Sequence, residues 1–96
     1  MMISIVKFEW DENKNKSNIN KHGISFQLAA KVFLDDHVII LPDEFHSTDE
    51  ERNFAIGMVE KVLYVVFTER TDAIRIISAR RATKLEVMLY DDNLYS

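Results

Sequence analysis

Two β-branched runs near the end of the chain constrain its fold most. Val62 to Thr68 is aliphatic and aromatic, and Ile74 to Arg80 repeats that character after a turn at Thr71-Asp72. Such residues fit the pleated, half-buried surface of a sheet, and two runs joined by so short a link pair antiparallel. Upstream, Phe54, Ile56 and Met58 alternate with Ala55 and Gly57, the period of another strand. Val38 to Leu41, stopped by Pro42, reads as a short strand, and Ile3 to Trp10 as a first one.

Helical signals flank these runs. Asp11 is an N-cap for a helix over Glu12 to Lys21, and Gly23 supplies the left-handed residue that ends it. Its apolar face is thin, mainly Ile19, with Trp10 and Ile24 packing at its ends. Ser25 caps a second helix, in which Phe26, Ala29, Ala30 and Phe33 fall at i, i+3, i+4 and i+7; Asp35-Asp36 ends it. Thr83-Lys84-Leu85-Glu86 is a capping box, opening a C-terminal helix with Leu85, Met88 and Leu89 on one side. Two helices, then consecutive strands, then a helix imply an α+β fold with an antiparallel sheet. Phe26, Phe33, Phe54, Met58, Tyr64 and Phe67 are expected in the core, not as a platform for stacking bases.

Composition narrows the function. At 96 residues and 47% hydrophobic, the chain reads as a single domain over 1–96. It has no cysteine, which excludes disulfides, zinc–thiolate sites and thiol nucleophiles. Two glycines are too few for a phosphate-binding glycine loop. The first ten residues lack a basic start and an unbroken apolar stretch, and Val62 to Phe67 is too short to cross a bilayer. A cytoplasmic location is therefore expected. The acidic stretch Asp43–Glu51 lacks the glycine and aspartate spacing of a calcium loop and reads as solvated, so neither a metal nor a cofactor is expected.

A formal net charge of −4 argues weakly against a nucleic-acid partner, but the charges are partitioned. Asp35 to Glu60 carries eight carboxylates against Arg52 alone, a local −7. Thr68 to Lys84 carries five cations against two acids, a local +3.

Two constellations suit phosphodiester chemistry. On the first helix Lys14, Asn18, Lys21 and His22 share a stripe, with lysines as point charges, an amide donor and a group that titrates near neutrality. The plainer role for His22 is a hydrogen bond to a helix-end carbonyl beside Gly23. On the last strand, alternation places Arg75, Ile77, Ala79 and Arg81 on one face, and Ile74, Ile76, Ser78 and Arg80 on the other. The isoleucines make the second face the core face, with Arg80 at its rim as a planar fork for phosphate. Fixed cations aimed at a phosphate offset the charge that builds during cleavage. Glu69 fits an ion pair with Arg75 or Arg80 better than a role as base.

The order of these pieces is similar to a known family. Phe8-Glu9-Trp10-Asp11-x-x-Lys14-x-x-x-Asn18-x-x-Lys21-His22-Gly23-Ile24-x-Phe26 resembles the opening signature of the BrnT toxins. Glu51-Arg52-x-x-Ala55-Ile56-Gly57, Val65-Val66-Phe67-Thr68-Glu69-Arg70 and Arg75-Ile76-Ile77-Ser78-Ala79-Arg80-Arg81-Ala82 follow that family in order. The likeness runs from about Phe8 to Tyr90.

The resemblance implies a RelE-like fold, with N-terminal helices packed on an antiparallel sheet and a short C-terminal helix. It implies a toxin of a type II toxin–antitoxin system, a ribonuclease that stops translation. A BrnA-like antitoxin with a ribbon-helix-helix portion would neutralise it in a hetero-oligomer that reaches DNA only through the antitoxin. Cleavage would be metal-independent, by attack of the RNA 2′-hydroxyl on the adjacent phosphate. Arg80 and Arg52 would hold the phosphate, and His22 or Glu69 would move the proton. Lys14, Asn18, Lys21, Arg70, Arg75 and Arg81 would grip the RNA. The competing reading is a catalytically inactive module that only binds its antitoxin and takes part in operon repression.

Overall fold

The computed structural model describes residues 7–45 and 50–95. The elements run β1 (Lys7–Glu9), α1 (Glu12–His22), α2 (Phe26–Ala30), a 3₁₀ turn (Lys31–Leu34), β2 (Ile39–Pro42), β3 (Asn53–Val59), β4 (Lys61–Glu69), β5 (Ala73–Arg81) and α3 (Lys84–Leu94). The sheet order is β1-β5-β4-β3-β2. β2 to β5 pair antiparallel, whereas β1 lies parallel to β5 at Lys7–Ala73, Phe8–Ile74 and Glu9–Arg75. The expected all-antiparallel sheet is thus corrected to a mixed one, because the chain from β1 to β5 returns by way of helices and three strands. Ile3 to Val6 of the expected first strand, and His46 to Asp49 of the acidic loop, lie outside the described residues.

Helices α1 and α2 and the 3₁₀ turn cover one face of the sheet. There Phe26, Ala29 and Val32 meet Ala55, Leu63, Val65, Phe67, Ile76 and Ala79 in a closed core. The buried positions 26, 29 and 32 have a spacing of three, because the second helix tightens into 3₁₀ geometry after Ala30. Phe33 packs edge-on against Phe67 at 5.1 Å and tilted against Phe8 at 5.5 Å. Gly57 lets the 3₁₀ turn approach the sheet: a Cβ there would stand 2.9 Å from the Val32 Cβ.

Two expectations about the helices are corrected. Ile19 does not hold α1 down; it is 44% exposed, and the buried positions of α1 are Asn15 and Asn18. Asn18 donates to the Ala79 carbonyl at 2.8 Å and accepts from the Ala79 N–H at 3.1 Å. β1 is paired with β5 only as far as Arg75, so this amide takes the place of a neighbouring strand further along the β5 edge. Asn15 accepts from the Phe26 N–H at 2.8 Å and donates to Glu12 and Gln27, tying α1 to α2.

The second correction concerns α3, which crosses the other face of the sheet. Leu85, Met88 and Leu89 are exposed there, and Tyr90 is the buried residue. α3 is anchored by polar bonds instead: Tyr90 Oη donates to Asp35 at 2.5 Å, and Asn93 Nδ2 donates to the His37 carbonyl at 2.8 Å. Met58, expected in the core, is 45% exposed on this same face.

Candidate functional site

The face that each arginine of β5 occupies is set by a bulge. Val66 pairs with Ser78 but Phe67 pairs with Ile76, so Ile77 is the extra residue and the alternation changes phase there. Ile76 and Ala79 therefore share the core face, while Ser78 and Arg80 lie on the α3 face with Tyr64 and Val66. This overturns the expectation that Ile76 and Arg80 share a face. Strict period-two alternation fails across one inserted residue.

Arg80 is held from two sides. Its guanidinium carbon lies 4.0 Å from the centre of the Tyr64 ring, and Tyr64 in turn stacks on Phe54 at 5.0 Å. Its two terminal nitrogens donate to the two oxygens of Glu86 at 2.8 and 3.0 Å. Glu86 is the third residue of α3 and its Oε1 also accepts from the Thr83 N–H at 2.8 Å, closing the capping box. These hydrogen bonds to Glu86 raise the Arg80 pKa against the opposing effect of burial. Burial pushes the Glu86 carboxyl up, yet the bonds from Arg80 and Thr83 outweigh it and leave it below the ordinary range. Neither Tyr64 nor Glu86 stood out in the sequence as part of this arrangement. The capping box was the available signal for Glu86, because it points that carboxylate back toward the end of β5.

The other sequence candidates divide between two ends of the sheet. Asn18 docks at Ala79, and Lys21 and His22 follow one helical turn later. They lie toward the end where β5 stops, but α1 approaches from the core side of the sheet whereas Arg80 is on the α3 face. Arg52, Glu69 and Arg70 mark the opposite end, where the β4–β5 turn begins. Tyr64, opposite Arg80, and Glu69 are five residues apart on β4, about 16 Å in extended chain. The structure therefore does not bring Arg80 and Glu69 together.

Several of the expected cations are neutralised. Arg70 pairs with Glu50 at 3.4 Å and Arg75 with Glu9 at 3.2 Å. The partnership expected for Glu69, with Arg75 or Arg80, is not formed, because nearer carboxylates take both arginines; Glu69 is exposed beside Glu50 and Glu51 in a shallow polar pocket. Asn18, expected to touch RNA, is a buried anchor with both ends of its amide satisfied. The helix end is closed by the Gly23 N–H on the Ile19 carbonyl at 2.7 Å, so the capping role considered for His22 is met without its side chain. Lys14, Lys21, His22 and Arg81 are exposed. Among the described residues no group of three or more His, Asp and Glu side chains is gathered as for a metal ion, and no helix is long and apolar enough to cross a membrane.

The architecture is that of a small α+β domain with a five-stranded sheet and three α-helices among the described residues. Residues 10–86 match the family described as ribonuclease toxin, BrnT, of type II toxin–antitoxin systems, and the chain belongs to that family. It is similar to the ribonuclease toxin BrnT of Brucella abortus, known from a crystal structure at 1.1 Å. The two share 31% sequence identity and superpose with a TM-score of 0.67, over 83% of this chain and all of the other. No curated protein matches the chain.

Proposed function

We infer that this protein is a toxin that cleaves RNA by itself, at the end of the sheet marked by Arg80. Arg80 carries the reading. It is a charged fork held over an aromatic ring, with its direction set before any ligand arrives, and such preorganisation is what phosphate binding and charge stabilisation require. Glu86 fills the fork. A phosphate with two oxygens of similar spacing would take its place. His22, one turn beyond the residue that docks α1 at Ala79, reaches this end of the sheet from the other face and is the proton-transfer group we favour over Glu69, which lies at the far end of β4. Lys14, Lys21 and Arg81 would supply backbone contacts, and Arg52 and Arg70 would meet a strand passing the opposite end.

In this reading the RNA 2′-hydroxyl attacks the adjacent phosphate, with no metal, and translation stops as messages are lost. The fold is a RelE-like variant. A BrnA-like antitoxin with a ribbon-helix-helix portion neutralises the toxin in a hetero-oligomer, which binds DNA through the antitoxin, and the cytoplasm is where this takes place. A second reading, an inactive module that only binds its antitoxin, has one observation in its favour: Arg70, Arg75 and Arg80 all have carboxylate partners.

The test is RNA cleavage by purified protein without ribosomes, alongside growth arrest on induction. Arg80→Ala is expected to lower cleavage at least 100-fold while the thermal midpoint moves by only a few degrees. His22→Gln should also lower it, though less than Arg80→Ala. A folded Arg80→Ala protein that still arrests growth would remove Arg80 from the mechanism. Absence of cleavage by the parent chain, with tight antitoxin binding, would favour the second reading.

A further inference from the structure

α3 carries apolar side chains on both sides, and only one side is used by the fold. Val87, Tyr90 and Leu94 turn toward the sheet. Leu85, Met88 and Leu89 are 73, 54 and 53% exposed, at i, i+3 and i+4 on the outer side. Met58 lies on the same sheet face, and its N–H donates to Asp35, the carboxylate that also receives Tyr90. The helix is held by Glu86, Tyr90 and Asn93 through polar bonds, so its outer apolar residues are not required for its attachment. A helix that is apolar on two sides is normally covered on both.

We propose that the outer face of α3 is the docking surface for an amphipathic helix of the antitoxin, with basic residues flanking that helix's apolar stripe. The identity of the partner rests on the toxin–antitoxin reading above; the surface itself does not. The spacing of Leu85, Met88 and Leu89 matches the anchor positions through which an amphipathic helix is gripped. Three partly exposed side chains present on the order of 200 Å² of apolar surface, far below the roughly 800 Å² per partner of a stable interface between folded proteins. A second copy of this chain would therefore bury too little, whereas a helix laid along α3 can extend beyond it onto neighbouring surface. That neighbouring surface is acidic. Asp91 and Asp92 are exposed on α3, and the bonds from Tyr90 to Asp35 and from Asn93 to His37 bring Asp35 and Asp36 alongside. Charges of one sign around an apolar stripe select a partner of the other sign and speed its arrival.

The experiment measures affinity for the purified cognate antitoxin with three forms of the full chain. Met88→Glu/Leu89→Glu is expected to weaken binding about 100-fold, with an unchanged circular dichroism spectrum and thermal midpoint, since both side chains lie outside the core. Asp91→Lys/Asp92→Lys is expected to weaken it about 5-fold and to flatten its salt dependence. A Met88→Glu/Leu89→Glu protein that binds within 3-fold of the parent overturns the proposal, as does a parent chain that does not bind the antitoxin. Tighter binding by the lysine variant overturns the basic-flank assignment. Sedimentation of the isolated parent chain as a dimer, with the glutamate variant a monomer, would assign the face to a second copy instead. Failure of the ribonuclease reading is separate: it appears as a parent chain that binds antitoxin but cleaves nothing.

Discussion

The two faces of the sheet are closed by different physics. Under α1, α2 and the 3₁₀ turn, Phe26, Val32, Leu63, Val65, Phe67 and Ile76 are at most 1% exposed and pack as a continuous apolar layer. Under α3, Ile56 is fully buried and Phe54 stacks on Tyr64, but the helix itself is tied down by an arginine stacked on that tyrosine, a bidentate ion pair and a tyrosine–aspartate bond. Apolar packing is non-directional and collectively strong, so it holds the scaffold. Hydrogen-bonded ion pairs are directional and modest in net stability, so they orient particular groups while remaining exchangeable for a ligand. The difference teaches where chemistry can sit in so small a domain: one face carries most of the stability, which leaves the other free to expose a cation and an apolar helix surface.

The comparison is broken most severely on the closed face. Phe26→Ala removes a fully buried ring that also meets Trp10 edge-on at 6.2 Å, and is expected to cost about 3–5 kcal/mol in urea unfolding. Against a total of roughly 5–15 kcal/mol for a domain of this kind, that is between about a fifth and all of the stability, so the urea midpoint should fall sharply. Asn18→Leu comes next. It strips partners from the Ala79 N–H and from the Ala79 and Ile24 carbonyls, and is expected to cost about 2–4 kcal/mol. Amide exchange at Ala79 should rise in that variant ahead of exchange in β4, which would locate the damage at the β5 edge.

Changes on the α3 face should be smaller and should depend on pH. Tyr90→Phe removes the bond to Asp35 and is expected to cost about 1–2 kcal/mol. Burial first, and then the Asp35 carboxylate, push the Tyr90 hydroxyl up to about 12. A raised pKa means that its contribution is complete below the ordinary tyrosine value of about 10. It is then lost between there and about 12, so the parent should lose stability over that range and Tyr90→Phe should not. Glu86→Gln is the mildest change, expected to cost about 1 kcal/mol after allowing for solvent screening around a partly exposed pair. The Glu86 carboxyl is held below its usual range, so its contribution is present at neutral pH and is lost as the pH falls through that lowered value. Thermal melts should therefore separate parent and variant most at neutral pH, and the gap should close as the pH falls through that lowered value. A parent with the same acid sensitivity as Glu86→Gln would show that the pair contributes nothing to stability.

Much of the architecture was legible from local signals. The caps at Asp11, Ser25 and Thr83, and the end at Gly23, appear where the sequence places them, since each is a hydrogen bond or a left-handed residue decided within a few positions. The hairpin of β4 and β5 was legible for the same reason. The phase of β5 was not. Isoleucines at 74, 76 and 77 accept either register, and the bulge opposite Val66 and Phe67 chooses one that sends Arg80 to the α3 face. The candidate site was legible as a set of residue types and not as a constellation. Asn18 looks like a surface donor until an unpaired strand edge is set beside it. Likewise the cations of the last hairpin look like one basic patch until Glu9, Glu50 and Glu86 are brought to Arg75, Arg70 and Arg80.

By itself, the sequence determined the class of fold, the family and the separation of acidic from basic segments. Those properties rest on periodicity, caps and ordered motifs, which are written in neighbouring residues. Only the tertiary structure decided which charges remain unpaired, which face Arg80 occupies and which side of α3 meets solvent. Each of those outcomes depends on groups far apart in the chain, and on a register that one inserted residue reverses.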